Sequence, residues 1–274
     1  MTEYKLNQSL KFLQPLIKTN PTTAIVLGSG LGSLADELTQ KTTIKCEEIP
    51  FYPKPMIAGH AGIWVIGYLD TVPIIALKGR VHTYEGYSAY QATYPIRLLS
   101  KIGIKNLVVT NAAGGVNKNF RPGDLMIITD HINLLYDNPL IGDNSISADE
   151  RFVDMLEAYD SKFIQRAGEI ARSLGIDVQS GVLVTSKGPS YETAAEVKMA
   201  RILGGDAVTM STVPEVIAAR QKQMRVFGMS CITNLATGIS DKKLSHAEVT
   251  ETANLIKDQF VRLMKEILKQ MPSW

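Results

Sequence analysis

Val72-Pro73-Ile74-Ile75-Ala76-Leu77, followed closely by Gly79-Arg80-Val81-His82-Thr83-Tyr84-Glu85-Gly86, is the stretch on which the fold turns. The first run is apolar without alternation, as strands are when both faces of their sheet are covered. The second sets a guanidinium, an imidazole and a phenol hydroxyl on a loop framed by glycines, where the buried strand reaches the rim of its sheet. Arg80 beside His82 suits an anion of phosphate geometry, and ligands of α/β sheets gather at such strand ends.

Working outward, β-type runs recur at residues 24–28, 63–68, 107–110, 125–129, 182–184, 207–208 and 225–232. Helical spacing lies between them, as in Phe163, Ala167, Ile170 and Leu174, closed by Gly175. The last helix has the clearest start, Ser245-His246-Ala247-Glu248, a capping-box pattern followed by Ile256, Phe260, Leu263 and Ile267 on one face. His246 falls at its first position, where the positive end of the helix dipole favours a neutral imidazole, either as a ligand group or as an exposed structural residue. Residues 1–18 predict an amphipathic surface helix. The alternation of strands and helices predicts an α/β protein, and with no linker or repeat in residues 1–274 a single domain is expected.

Composition removes several function classes. The 29 basic and 27 acidic residues give a formal charge of +2 and are dispersed, so nucleic-acid binding is not expected. Cys46 and Cys231 are the only cysteines, which argues against a disulfide framework or structural zinc and fits a reducing cytoplasm. No signal-peptide core or long apolar span is present, so neither export nor a membrane partner is expected. His60, His82, His131 and His246 lack metal-ligand spacing and no Gly-x-Ser-x-Gly elbow occurs, which disfavours a metal site or a serine hydrolase.

Other strand ends carry ambiguous signals. Gly28-Ser29-Gly30-Leu31-Gly32-Ser33 has serine where a dinucleotide fingerprint needs its third glycine, leaving a phosphate-holding turn or a plain tight turn. Asn111-Ala112-Ala113-Gly114-Gly115 reads as a second small-residue turn, open to a ligand or to close helix packing. In Gly188-Pro189-Ser190-Tyr191-Glu192-Thr193 the ring and carboxylate either grip a flat heterocycle or anchor a loop and helix start over residues 193–203. Met210-Ser211-Thr212-Val213-Pro214-Glu215 enters a helix, with Ser211 and Thr212 competing for its cap. Asn234, following the 225–232 strand, needs partners if buried, and a base edge is one of them.

Taken together, these segments with Gly59-His60 and Thr233-Asn234 closely resemble the trimeric purine nucleoside phosphorylases, a family that includes the methylthioadenosine phosphorylases. The resemblance runs from about Leu27 to the C-terminal helix. It implies a phosphorylase fold, a mixed central β-sheet, partly barrel-like, flanked by α-helices. The implied activity is reversible phosphorolysis of purine nucleosides, with orthophosphate as co-substrate, no cofactor or metal, and a homotrimeric assembly.

The resemblance also implies roles. Ser29, His60, Arg80, His82, Ser211 and the backbone amide of Ala112 correspond to the phosphate site. Tyr84, Met210 and His246 correspond to the ribose contacts, and Tyr191, Glu192, Val208 and Asn234 to the base pocket. Phe152 corresponds to an aromatic lent by a neighbouring subunit. Asn234, Glu192, His82 and His246 are the groups implied in catalysis.

Glu192 can accept from N1–H and Asn234 can donate to N7 or O6, a pair that favours inosine and guanosine, ribo or 2'-deoxy, over adenosine. Such an activity would serve purine salvage. Tyr191 stands where animal members carry phenylalanine, and Leu235 where they carry lysine. The rivals are a methylthioadenosine phosphorylase, against which His246 speaks, and a non-catalytic nucleoside binder, against which the intact set Arg80, His82, Glu192 and Asn234 speaks.

Overall fold

The computed structural model describes residues 3–56, 62–142, 151–240 and 246–274. Strand β1 (Thr23–Leu27) is buried at every position. Its residues point alternately into two cores, Ala24 and Val26 into one, Ile25 and Leu27 into the other. β4 (Val72–Lys78) behaves likewise, with Ile75 and Leu77 on one side and Ile74 and Ala76 on the other. Apolar runs without alternation are the direct result of that double coverage.

β1 runs parallel between β4 and β5 (Asn106–Gly115). Strands β2 (Thr39–Lys45), β3 (Ile63–Leu69), β6 (Leu125–Asn133), β7 (Val178–Thr185), β8 (Ala207–Thr209) and β9 (Arg225–Leu235) complete a mixed sheet of order β2-β3-β4-β1-β5-β8-β7-β6-β9. β5 pairs with β8 and also with β9, so β5-β8-β7-β6-β9 close on themselves while β2-β3-β4-β1 form an open arm. The expected mixed, partly barrel-like sheet is what the strands build.

Among the described residues the α-helices are α1 (Glu3–Leu13), α2 (Ala89–Ala92), α3 (Tyr94–Ile102), α4 (Ser161–Ser173), α5 (Ala194–Ile202), α6 (Val213–Gln221), α7 (His246–Leu255) and α8 (Lys257–Gln270). α4 shows how local sequence sets an element. Asp160 caps it by accepting from the Phe163 amide at 3.0 Å, its inner face buries Phe163, Ala167 and Ile170, and Gly175 at φ 66° ends it.

The chain after Gly28 enters a helix of the 3₁₀ type (Gly32–Glu37). Three features differ from the sequence expectation. β2 was unforeseen, because its Thr-Gln-Lys-Thr-Thr-Ile-Lys run is exposed or half-exposed except at Ile44. Residues 111–115 are not a turn but the second half of β5, paired with β9 across a register shift between Ala113 and Gly114. The final helix divides at Ile256, where φ is −98° and ψ 5°. α7 packs on β9 and α8 on α4 and the 3₁₀ helix, so the two halves serve different surfaces. Ser245 of the capping box lies outside the described residues.

Candidate active site

The ends of β1, β5, β8 and β9 and the loops after β4 and β7 border one cleft of about 130 Å³, roughly ten times what a single water requires. Ser29, Arg80, His82, Tyr84, Ala112, Tyr191, Glu192, Val208, Met210, Ser211 and Asn234 all line it. His60 lies outside the described residues. His246 begins α7, as expected, but its side chain lies outside the described residues. Phe152 is 85% exposed and does not line this chain's cleft.

At one end the glycine turn sits hard against β5. A Cβ on Gly28 would stand 2.8 Å from the Thr110 carbonyl oxygen and the Asn111 Cα, so no side chain fits there. Gly30, at φ 76°, leaves only room for the Ala253 methyl of α7, which a Cβ would meet at 2.4 Å. The turn therefore brings Ser29 and α7 together beside β5. Thr110 Oγ1 accepts from the Gly28 amide at 3.2 Å and donates to the Val26 carbonyl at 2.9 Å, locking the two strands.

Arg80 is buried, and its Nε donates to Glu215 Oε1 at 2.9 Å while Nη2 donates to the Thr110 carbonyl at 2.8 Å. His82 is buried beside it and stacks on Tyr84 with ring centroids 4.6 Å apart. Glu85 Oε1 accepts from the His82 amide at 2.7 Å and from His82 Nδ1 at 3.1 Å, and Oε2 accepts from the Met56 amide at 2.6 Å. Burial, then the neighbouring Arg80 charge, holds the His82 pKa below its usual value against the opposing pull of Glu85. The imidazole is thus neutral near pH 7, with its proton on Nδ1 toward Glu85 and a lone pair on Nε2. Burial pushes the Tyr84 hydroxyl up to about 12, so it stays protonated as a donor.

Ser211 and Thr212 follow β8, but neither caps α6. Thr212 occupies the cap position at φ 74° without a side-chain cap bond, and its Oγ1 instead accepts from Asn111 Nδ2 at 3.0 Å. Ser211 Oγ lies 3.2 Å from Thr212 Oγ1 and 3.4 Å from Thr209 Oγ1, and Thr209 in turn donates to the Ala112 carbonyl at 3.3 Å.

At the other end β9 carries a bulge. Its pairing with β5 runs Ala113 to Ile232 and then Gly114 to Asn234, leaving Thr233 as the extra residue. Bulges re-aim side chains, and here Asn234 lines the cleft while Thr233 Oγ1 donates to its Oδ1 at 3.0 Å. That bond orients the amide with Nδ2 as donor, 3.3 Å from the Leu235 carbonyl. Glu192 Oε1 accepts from Ser186 Oγ at 2.6 Å, which fixes its carboxylate at the same end. Val208 supplies an apolar wall, and Tyr191 a ring at the mouth, 40% exposed.

Sequence reasoning assigned no role to Glu85, Thr110, Asn111, Glu215 or Thr233. Glu85 was legible as an acid three residues after His82 at a short-helix start. Nothing local could pair Glu215 with Arg80, 135 positions apart. Among the described residues no group of three His, Cys, Asp or Glu side chains is placed to hold a metal ion, and no helix is long and apolar enough to cross a membrane.

A model of the phosphorylase superfamily matches residues 22–269. Purine nucleoside phosphorylase 1 of Geobacillus stearothermophilus is 48% identical over 271 residues, covering 99% of each chain, and that of Bacillus subtilis (strain 168) is 49% identical over 97% of this chain and 98% of its own. The chain belongs to the purine nucleoside phosphorylase family. As a member of that family it is an enzyme, a pentosyltransferase. Among solved structures, Schistosoma mansoni purine nucleoside phosphorylase in complex with adenosine superimposes with a TM-score of 0.92 at 36% identity, covering 99% of this chain and 98% of that one. The same protein in complex with inosine gives 0.91 at 34%, covering 98% and 97%. The family fold thus spans the whole sheet and every strand end that borders the cleft.

Proposed function

We propose that this purine nucleoside phosphorylase acts on 6-oxopurine nucleosides, inosine and guanosine in ribo or 2'-deoxy form, giving the free base and pentose 1-phosphate reversibly and serving purine salvage in the cytoplasm. The observation that carries the specificity is the pairing of a fixed carboxylate, Glu192, with an amide oriented as donor, Asn234, at one end of the cleft. Glu192 accepts from N1–H of the purine, and Asn234 donates to N7 or O6 as electrons move into the ring. Adenosine has no N1 proton and presents an amino group at position 6, so both contacts discriminate against it.

Orthophosphate takes the opposite end, held by Ser29, Arg80, His82, Ser211 and the Ala112 amide, with His60 and His246 assigned by resemblance. It arrives as an anion and needs no general base. The lone pair on His82 Nε2 suits a phosphate that keeps one hydroxyl. Tyr84 and Met210 flank the pentose between the two ends. As the glycosidic bond lengthens, positive character on the sugar faces phosphate and negative character on the base faces Asn234, so each end stabilises the charge that develops beside it. No cofactor takes part.

A homotrimer of single-domain chains, with Phe152 reaching a neighbour's cleft, fits the exposure of Tyr136, Ile141, Phe152 and Leu156, large apolar side chains that a partner would cover. Release of free base from inosine, guanosine, adenosine and methylthioadenosine, with and without orthophosphate and without added metal, tests the reading. Phosphate-dependent hypoxanthine and guanine release with little adenine is the expected result. The adenosine arm matters most, since a relative's structure was solved with adenosine bound, and efficient adenine release would overturn the 6-oxopurine assignment.

A further inference from the structure

The guanidinium assigned to phosphate shares its pocket with a carboxylate. The side chains of Arg80 and Glu215 are 4% and 9% exposed and meet at 2.9 Å. A buried negative charge beside a group that must bind an anion opposes that binding, because it cancels much of the field the anion would use.

The backbone that delivers Glu215 is strained. Ser211-Thr212-Val213 forms a γ-turn in which the Val213 amide donates to the Ser211 carbonyl at 2.8 Å, with Thr212 at φ 74° and ψ −56°. Such turns are rare, and more so at a β-branched residue. Asn111 Nδ2, bonded to Thr212 Oγ1 at 3.0 Å, and Thr185 Oγ1, donating to the Ser211 carbonyl at 3.2 Å, hold it from β5 and β7. The turn sets Ser211 on the cleft and, in the first turn of α6, Glu215 against Arg80. Strain fixed from two sides at the rim of a site is the pattern by which a functional geometry is stored.

We propose that Glu215 is a positioning residue for phosphorolysis: its carboxylate fixes the plane of the Arg80 guanidinium and offsets its charge, so that phosphate binds in one orientation and pentose 1-phosphate can leave. This rests on the phosphate reading of that end of the cleft and adds the residue that tunes it.

Two variants separate orientation from charge. Glu215→Gln keeps an oxygen for Arg80 Nε and removes the charge. Its new nitrogen takes the place of Oε2, which has no hydrogen-bond partner among the described residues. A cavity of about 20 Å³ that Glu215 lines with Thr83 and Thr93 can accommodate it. Glu215→Ala removes both functions. Inorganic phosphate binding is read by titration calorimetry and by the phosphate-induced rise in Tm, and turnover by KM for each substrate and kcat.

Glu215→Gln should bind phosphate about tenfold tighter, show a larger phosphate-induced Tm rise, and turn over more slowly as product release lags, with nucleoside KM unchanged. Glu215→Ala should bind phosphate about tenfold weaker, as Arg80 loses its brace. A merely structural role moves both variants the same way. Shifts of equal sign, or unchanged phosphate binding in Glu215→Gln, overturn the proposal, and the calorimetry of Glu215→Gln decides alone should Glu215→Ala fail to fold. Arg80→Gln is the control: phosphate binding that survives it overturns the phosphate site and this proposal together, whereas loss there with no change in Glu215→Gln overturns this proposal only.

Discussion

Replacing Asn234 by aspartate is the sharpest probe of base selection. Thr233 Oγ1 donates to Asn234 Oδ1 at 3.0 Å, a bond that aspartate keeps, so the new carboxylate holds the same plane. The atom that changes is Nδ2, the donor bordering the cleft, which becomes a charged acceptor. Against a 6-oxopurine this removes a hydrogen bond that strengthens in the transition state, worth about 1–3 kcal/mol. Against adenosine the same oxygen accepts from the exocyclic amine, a charge-assisted bond of about 1.5–3 kcal/mol. Glu192 still faces an N1 without a proton, so only part of that gain is realised.

The sum is about 3–4 kcal/mol, a shift of roughly 10²–10³ in the ratio of kcat/KM for inosine to that for adenosine. Base release at saturating phosphate measures it. The new oxygen would also lie near the Leu235 carbonyl, now 3.3 Å from Nδ2, so a lowered Tm is expected as well. A folded variant whose inosine-to-adenosine ratio stays within about threefold of the parent would refute the role given to Asn234.

Burial holds His82 and His131 below the ordinary histidine pKa of 6.5. The unfolded chain therefore binds more protons just below that value, stability is full above it and is lost as pH falls toward the folded pKa values. Tm should drop between about pH 7 and pH 5, and a flat profile over that window would refute the neutral, buried state of both rings. Arg225 grips Asp160 with bonds of 2.6 and 2.9 Å, donates to the Trp274 carbonyl at 2.8 Å and lies 4.0 Å from the centre of the Phe163 ring. Arg225→Ala should cost about 2 kcal/mol, discounted for the one-third exposure of the guanidinium side chain, and denaturant unfolding that shows no loss would count against the clamp. Phe152→Ala should raise nucleoside KM in a protein that sediments as a trimer, and a fully active monomer would contradict the shared site.

What the sequence made legible follows from burial. β1, β4 and the first half of β5 announce themselves because both of their faces enter a core, as Val108 does on one side and Leu107 and Val109 do on the other. Past Thr110 the same strand turns to Asn111, Ala112, Ala113 and Gly114, which border the cleft, so apolar patterning stops although pairing with β9 continues. β2 escaped for the opposite reason, being an exposed partner of β3 alone. The break at Ile256 is invisible in a spacing that suits either one helix or two. Site residues named by motif, Phe152 apart, fall on one cleft where they are described. Their braces, Glu85 excepted, are set by distant pairings: Arg80 with Glu215, Asn111 with Thr212, and the bulge at Thr233.

Those braces change how the phosphate end must work. Among the described residues, the charged side chains there are Arg80 on one side and Glu85 and Glu215 on the other, with His82 neutral. Burial alone would raise the Glu85 pKa, but bonds from the His82 ring and from the amides of Met56 and His82 outweigh it and keep the carboxylate ionised. Net positive charge among these groups therefore does not draw the anion in. Directional donors must hold it, namely the guanidinium edge, two serine hydroxyls and backbone amide, set by strain and by paired carboxylates rather than by field strength. Screening acts weakly on buried, paired groups, so KM for phosphate should change by less than about twofold between roughly 0.01 and 0.15 M ionic strength. A steep rise in that KM with salt would mean that long-range charge holds the phosphate, and the case for orientation through Glu215 would fail with it.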